Sequence, residues 1–141
     1  MTSVNGISEH VANLLGAALG QVRAELHTGS QARYPGLRAS HYRLLDLIPA
    51  DGARITDLAE VAGMTKQALG QHVDYLQGLG YTESVRLPAD RRVRLVRRTP
   101  RGDEAAAYAL AAIARVEDAW SARLGADRYA EFRATLKELR E

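Results

Sequence analysis

Apolar residues recur at Ile7, Val11, Leu14, Leu15, Ala18, Leu19, Val22 and Leu26. Steps of three, four and one lay them along one face of an α-helix over residues 7–27. Asn5 or Ser8 is placed to cap its start. The stripe is long for a helix that only covers a small core, so part of it is expected to face another subunit. Gly29, Ser30, Pro35 and Gly36 break the period, and His27 to Leu37 reads as a connector. The run HYRLLDLI predicts a second helix, capped by Ser40 and ended by Pro49 and the turn Ala50-Asp51-Gly52. Arg54-Ile55 suits a short strand. Thr56 then stands where its hydroxyl would cap a third helix, with Asp57 and Glu60 near its positive end and Gly63 as its stop. Thr65 is a second cap. It opens a fourth helix from about Lys66 to Leu79, with Gly80 as the residue after its C-cap.

Beyond Gly80 the pattern changes. Tyr81 to Arg86 and Val93 to Arg98 are strand-like runs around the turn Leu87 to Arg92, a hairpin. Thr99-Pro100 is a cap followed by proline at the first helical position. The fifth helix runs to about Arg123, and at ~1.5 Å per residue it spans ~36 Å. Leu124-Gly125 ends it, and a last amphipathic helix carries Tyr129, Phe132, Leu136 and Leu139. The expected fold is mainly α with a small β-hairpin: a winged helix-turn-helix flanked by long N- and C-terminal dimerisation helices. The expected division is 1–36 for the N-terminal dimerisation helix and connector, 37–102 for the winged region, and 103–141 for the C-terminal dimerisation helices.

Composition narrows this picture. The chain has 141 residues, 46% of them hydrophobic, which fits one small globular domain with extensions. It has no cysteine, which excludes disulfides, cysteine zinc sites and thiol redox sensing. Glu9, His10 and Asn13 interrupt the first apolar stretch and no basic leader precedes it. The expectation is neither a signal peptide nor a membrane span, and a cytoplasmic protein. Net charge is only +2, but it is unevenly spread: −1 over residues 1–30, +5 over 31–102 and −2 over 103–141. From Arg86 to Arg101 there are seven arginines against one acid, Asp90. A local positive potential of this kind suits nucleic acid, and equally a solvated hairpin with charged edges.

On a helical wheel of the fourth helix, Leu69, Val73 and Leu76 fall together and should face the core. Gln67, Gly70, Gln71 and Asp74 lie opposite, with Lys66 beside them. Glutamine can pair in two places with adenine in the major groove, and lysine can reach guanine or phosphate. Gly70 would let the backbone approach DNA closely. The same face also serves as an ordinary solvated surface. Thr65 is a cap that could also hold a phosphate. At the hairpin tip, Asp90 precedes Arg92 by two residues and Arg94 by four. A carboxylate so placed can aim a guanidinium by a two-point ion pair, and an arginine held at a loop tip suits a narrow minor groove. The DNA-contacting set is therefore Thr65, Lys66, Gln67, Gln71, Arg86, Asp90, Arg91, Arg92 and Arg94. Lys66, Gln67 and Gln71 would read bases.

From about Leu37 to Gly102 the chain resembles the MarR family of bacterial transcriptional regulators. The resemblance lies in Thr56 to Gly63, in Met64-Thr65-Lys66-Gln67-Ala68-Leu69, in Val73, Leu76, Gly80 and Tyr81, in Pro88-Ala89-Asp90-Arg91-Arg92, and in Thr99-Pro100-Arg101-Gly102. It implies a homodimer whose recognition helices enter successive major grooves of a pseudo-palindromic operator, with wings in the flanking minor grooves. It also implies a repressor released by a small aromatic or phenolic effector. The family's wing arginine falls on Arg92 and its supporting acid on Asp90. Two positions depart from the pattern. Ser84 stands where many members carry arginine, and Arg98 where an apolar residue usually precedes the threonine. Arg86 or Arg98 is then expected to supply a replacement backbone contact.

For an effector the candidates are His10, His27, Tyr34, His41 and Tyr42, with Arg43 and Tyr108 beside them. The tyrosines also read as core and the histidines as surface. The four histidines have no close ligand spacing, so no metal and no cofactor is expected. No nucleophile elbow or phosphate loop is present, so no enzyme is expected. The competing readings are a winged-helix protein-interaction adaptor that does not bind DNA and an architectural DNA-binding protein with no effector.

Overall fold

The computed structural model describes residues 8–140. Ile7 and the Asn5 cap lie outside them. The elements in order are α1 (Val11–His27), α2 (Ser30–Arg33), α3 (Ala39–Leu47), β1 (Ala53–Arg54), α4 (Ile55–Ala62), α5 (Lys66–Gly78), β2 (Thr82–Arg86), β3 (Arg94–Arg98), α6 (Pro100–Leu124) and α7 (Ala126–Arg140). The chain is thus mostly helical with one small antiparallel sheet, as the pattern predicts. No helix among the described residues is long and apolar enough to cross a membrane. The molecule divides into two compact units. One is Leu26–Ala109, and the other joins the residues up to Glu25 with those from Leu110 onward.

In the Leu26–Ala109 unit, Leu69, Val73 and Leu76 of α5 are fully buried, as the wheel requires, and each such burial contributes about 1.5–3 kcal/mol. Leu45, Leu58, Tyr81 and Val96 complete the core around them. The sheet order is β1-β3-β2. Ala53 faces Val96 and Arg54 faces Leu95, while Thr82 to Arg86 pair with Arg98 to Arg94 in reverse. The short strand is therefore Ala53–Arg54, one residue earlier than expected. It ties the second strand of the hairpin to the chain entering the helix pair.

That pairing also moves the start of α4. Extended Arg54 (φ −74°, ψ 149°) is its N-cap and makes no side-chain cap bond, so Thr56 sits inside the helix instead of capping it. The Ser40 cap of the second helix is likewise corrected. Helix α3 is capped at Arg38, whose N–H donates to Nδ1 of His41 at 2.9 Å. The expected connector holds a single helical turn, α2, too short to show a period. Thr65 does cap α5, its Oγ1 accepting from the Ala68 N–H at 3.1 Å. At the far end Gly80 takes φ +87°. The Gly80 N–H bonds Gln77 O at 3.0 Å and the Tyr81 N–H bonds Leu76 O at 2.9 Å, the Schellman pair that closes a helix and turns the chain out.

The motif Thr99-Pro100-Arg101-Gly102 fastens α6 to the start of β2. The Thr99 N–H donates to Tyr81 O at 3.2 Å, and its hydroxyl donates to Gly80 O at 2.6 Å while accepting from the Gly102 N–H at 3.1 Å. A Cβ on Gly102 would lie 2.0 Å from Tyr81 O, so only glycine allows this approach.

In the other unit, α1 and α6 are joined by Arg115 to Glu25 (2.6 Å) and Trp120 Nε1 to Gln21 Oε1 (2.7 Å). Trp120 of α6 meets Tyr129 and Phe132 of α7, with ring centroids 6.2–6.5 Å apart across the trio. The Tyr129 hydroxyl donates to Glu117, and burial, then that carboxylate, push its pKa up to about 12. No residue of α7 is buried, and Val11, Leu14, Leu15 and Leu19 of α1 are exposed.

Candidate nucleic-acid interface

Helix α5 presents Lys66, Gln67, Gln71 and Asp74 to solvent, opposite its buried stripe. Asp74 is not free for bases. Nη2 of Arg94 donates to its Oδ1 at 2.9 Å. The same guanidinium donates to Ser84 Oγ at 2.8 Å and approaches Gln77 Oε1 at 3.5 Å, while Ser84 Oγ donates to Gln77 Oε1 at 2.8 Å. Asp74 and Gln77 come from α5, Ser84 from β2 and Arg94 from β3. The four side chains therefore clasp both strands of the hairpin to α5. Ser84 is the pivot of that clasp. Arg94 was expected at the DNA surface. Its side chain is only 25% exposed and its guanidinium is committed to the clasp.

At the wing tip, Arg92 Nε and Nη2 donate to the two oxygens of Asp90 at 3.1 and 3.3 Å, and the Arg92 N–H adds a third bond at 3.1 Å. This is the two-point pair that the spacing predicts. Those hydrogen bonds, side chain first and backbone second, hold the Asp90 carboxyl below the usual carboxylate range. The Arg92 side chain is 92% exposed, so the pair does little for stability and much for direction: it fixes where an otherwise solvated guanidinium points. Arg86 reaches across the turn to Arg92 O at 3.5 Å, and Arg91 is exposed.

Arg98 is turned inward, which corrects the expectation that it could supply a backbone contact. Its Nε donates to Asp103 Oδ1 and its Nη1 to Leu45 O, both at 2.9 Å, joining β3 to the end of α3 and the start of α6. Arg86 remains exposed.

The effector candidates do not converge. His10 is exposed and accepts the Asn13 N–H at the start of α1. His27 is exposed at the end of the same helix. Arg43 donates to Ala62 O at 3.3 Å. His41 stacks on Tyr75 at 4.8 Å with His72 edge-on at 5.9 Å. Burial first, then His72 and Arg38, lower its pKa. Tyr34 and Tyr42 do come together, buried with Tyr81 against the half-buried Tyr108. Their hydroxyls are largely used internally: Tyr42 pairs with Ser30, and Tyr108 donates to Leu26 O and Thr28 O. Sequence reasoning missed two arginines at this cluster. Arg33 lies over Tyr34 and Tyr108 (5.6 and 5.5 Å), and Arg101 over Tyr34 and Tyr81 (5.8 and 5.0 Å). It also missed Arg54, whose only signal was its place one residue before α4.

Residues 36–93 match the sequence model of the MarR family. No curated protein matches the chain in sequence. Among solved structures, it is similar to a mutant MarR from E. coli complexed with operator DNA (20% identity, 92% of each chain, TM-score 0.74). It is similar to CouR from Rhodococcus jostii RHA1 bound to p-coumaroyl-CoA (22%, 96% of this chain and 95% of that one, TM-score 0.74). It is also similar to the PcaV transcriptional regulator of Streptomyces coelicolor in complex with its natural ligand (22%, 99% and 96%, TM-score 0.71). At these identities the likeness establishes the fold.

Proposed function

We propose that this chain, whose residues 36–93 match the MarR-family model and whose fold is that of solved MarR-family regulators, is a sequence-specific DNA-binding repressor, acting as a homodimer and released by a small-molecule effector. The observation that carries this reading is the clasp of Asp74, Gln77, Ser84 and Arg94. It makes the exposed face of α5 and the Asp90–Arg92 tip one rigid surface. A major-groove reader and a minor-groove arginine are useful together only if their separation is fixed. Lys66, Gln67 and Gln71 then read base edges, Thr65, Arg86 and Arg91 hold the backbone, and Arg92 enters the minor groove.

The homodimer is supported by the apolar side chains that one chain leaves in water on α1 and α7. The effector is supported by the two relatives whose structures hold a ligand, p-coumaroyl-CoA in one of them. In this chain an aromatic acid would meet Arg33 and Arg101 beside the tyrosine cluster, and saturating phenolic acid should release bound duplex. Retention of the duplex across a panel of such acids would argue against that part of the reading.

Selection of duplexes from sheared genomic DNA, with sequencing of what binds, tests the function. Enrichment of a site with two related half-sites is the expected result. Failure to enrich any duplex would leave the adaptor reading in its place.

A further inference from the structure

The first residues of α4, the first residue of α5 and the start of β3 enclose a cleft of about 260 Å³, lined by Arg54, Ile55, Thr56, Lys66, Arg92, Val93 and Arg94. This is below the roughly 300–1,000 Å³ of pockets that take drug-sized ligands. Its chemistry is cationic. Four basic side chains line it, and two of them are matched: Arg92 by Asp90 and Arg94 by Asp74. Among the described residues, Arg54 and Lys66 have no hydrogen-bonded carboxylate partner; Asp90, whose carboxylate interacts with Arg54 at longer range, is already bound to Arg92. Thr56, which the start of α4 leaves uncapping, has its exposed hydroxyl at the same wall.

Resting on the DNA-binding reading, we propose that this cleft seats one phosphodiester of the DNA backbone, held by Arg54 with the Thr56 hydroxyl, and that Arg54 is a positioning residue for the complex. The excess of positive charge is matched to a small anion and the walls to a group without a large apolar body. The location is between the base-reading face and the wing tip, where a strand passing from major to minor groove must run. A phosphate seated here sets the register of both flanking contacts while reading no base itself. Arg54 owes its position to the sheet. It is paired opposite Leu95 in β1, so its backbone is fixed although its side chain is exposed.

The test uses the full chain and the duplex recovered by selection. Wild type, Arg54→Ala and Arg54→Lys are titrated across salt, on that duplex and on an unrelated one. The same titration is repeated with single neutral methylphosphonates scanned along each strand. Among the described residues the Arg54 side chain makes no hydrogen bond, and its backbone pairing in β1 is open to any side chain, so both variants should melt with wild type. The expected result is a roughly tenfold loss for Arg54→Ala on both duplexes, a salt slope shallower by about one, and partial rescue by lysine. One methylphosphonate position should weaken wild type and leave Arg54→Ala nearly unaffected. Inorganic phosphate at constant ionic strength separates a free-anion site from a DNA site. Stabilisation by phosphate that Arg54→Ala abolishes, with duplex binding unchanged, overturns the proposal. So does an Arg54→Ala variant that keeps wild-type affinity and slope, or one that keeps the full methylphosphonate penalty at every position. Wild type that binds no duplex overturns the DNA-binding reading as well; wild type that binds with Arg54→Ala unchanged overturns this proposal alone.

Discussion

The imidazole of His41 accepts the Arg38 N–H at Nδ1 and stacks on Tyr75 of the recognition helix, so the folded chain holds it neutral. Burial, His72 and Arg38 all lower its pKa from the ordinary 6.5. As pH falls through 6.5 the unfolded chain takes up the proton first, so stability is complete above that value and is lost below it. The melting temperature should therefore fall between about pH 7.5 and 5.5, and His41→Gln should flatten that fall. An equal fall in the variant would assign the pH dependence elsewhere. His41 also shows where residue-level reading stops. The Asp90–Arg92 pair was legible because two residues of a tight turn must meet. Arg94 with Asp74, and Arg98 with Leu45, were not, since their partners lie 20 and 53 residues away and only the packed fold brings them together. Tyr34 and Tyr42, two of the effector candidates, lie in one aromatic cluster with Tyr108, and neither that grouping nor the arginines stacked on it leaves a trace in local spacing.

Among the elements, those with strong terminal chemistry were the easiest to read. The Thr65 cap, the Gly80 stop and the Thr99-Pro100 start stand where their side chains or missing side chains require. The elements that were missed or displaced are the ones decided by neighbours: α2, a single turn, and the start of α4, moved by the pairing of β1 with β3. The junction at Gly102 is the most sensitive of these points. The Cβ of Gly102→Ala would collide with the backbone oxygen of Tyr81, an atom that cannot move without loosening β2 from α6. Overpacking of this kind costs about 1–3 kcal/mol, and a backbone obstacle argues for the upper end. Urea unfolding of the variant should show that loss. Wild-type stability would mean that α6 does not need to approach so closely.

At the scale of the whole molecule, charge and apolar surface are divided between the two units. Residues 31–102 carry the positive excess, and most of the exposed leucines (Leu14, Leu15, Leu19, Leu110, Leu136 and Leu139, with Leu79 the exception) belong to the other unit. Val11, Leu14, Leu15 and Leu19 are between 47% and 69% exposed, a continuous apolar stripe that water would favour covering. Sedimentation should find a dimer at micromolar concentration, and Leu15→Asp should shift it toward monomer. A wild-type monomer at that concentration would remove the two-groove geometry. The long stripe was legible from periodicity alone; what covers it was not, because a second chain leaves no mark in one sequence.

The central claim is that a wing arginine aimed by Asp90 works together with the face of α5 on duplex DNA. The most direct measurement is the affinity of wild type and Arg92→Ala for the selected duplex across salt. The expected outcome is a steep salt dependence for wild type, and for Arg92→Ala weaker binding with a shallower slope. Equal affinity and equal slope for the two proteins across the salt range would contradict it.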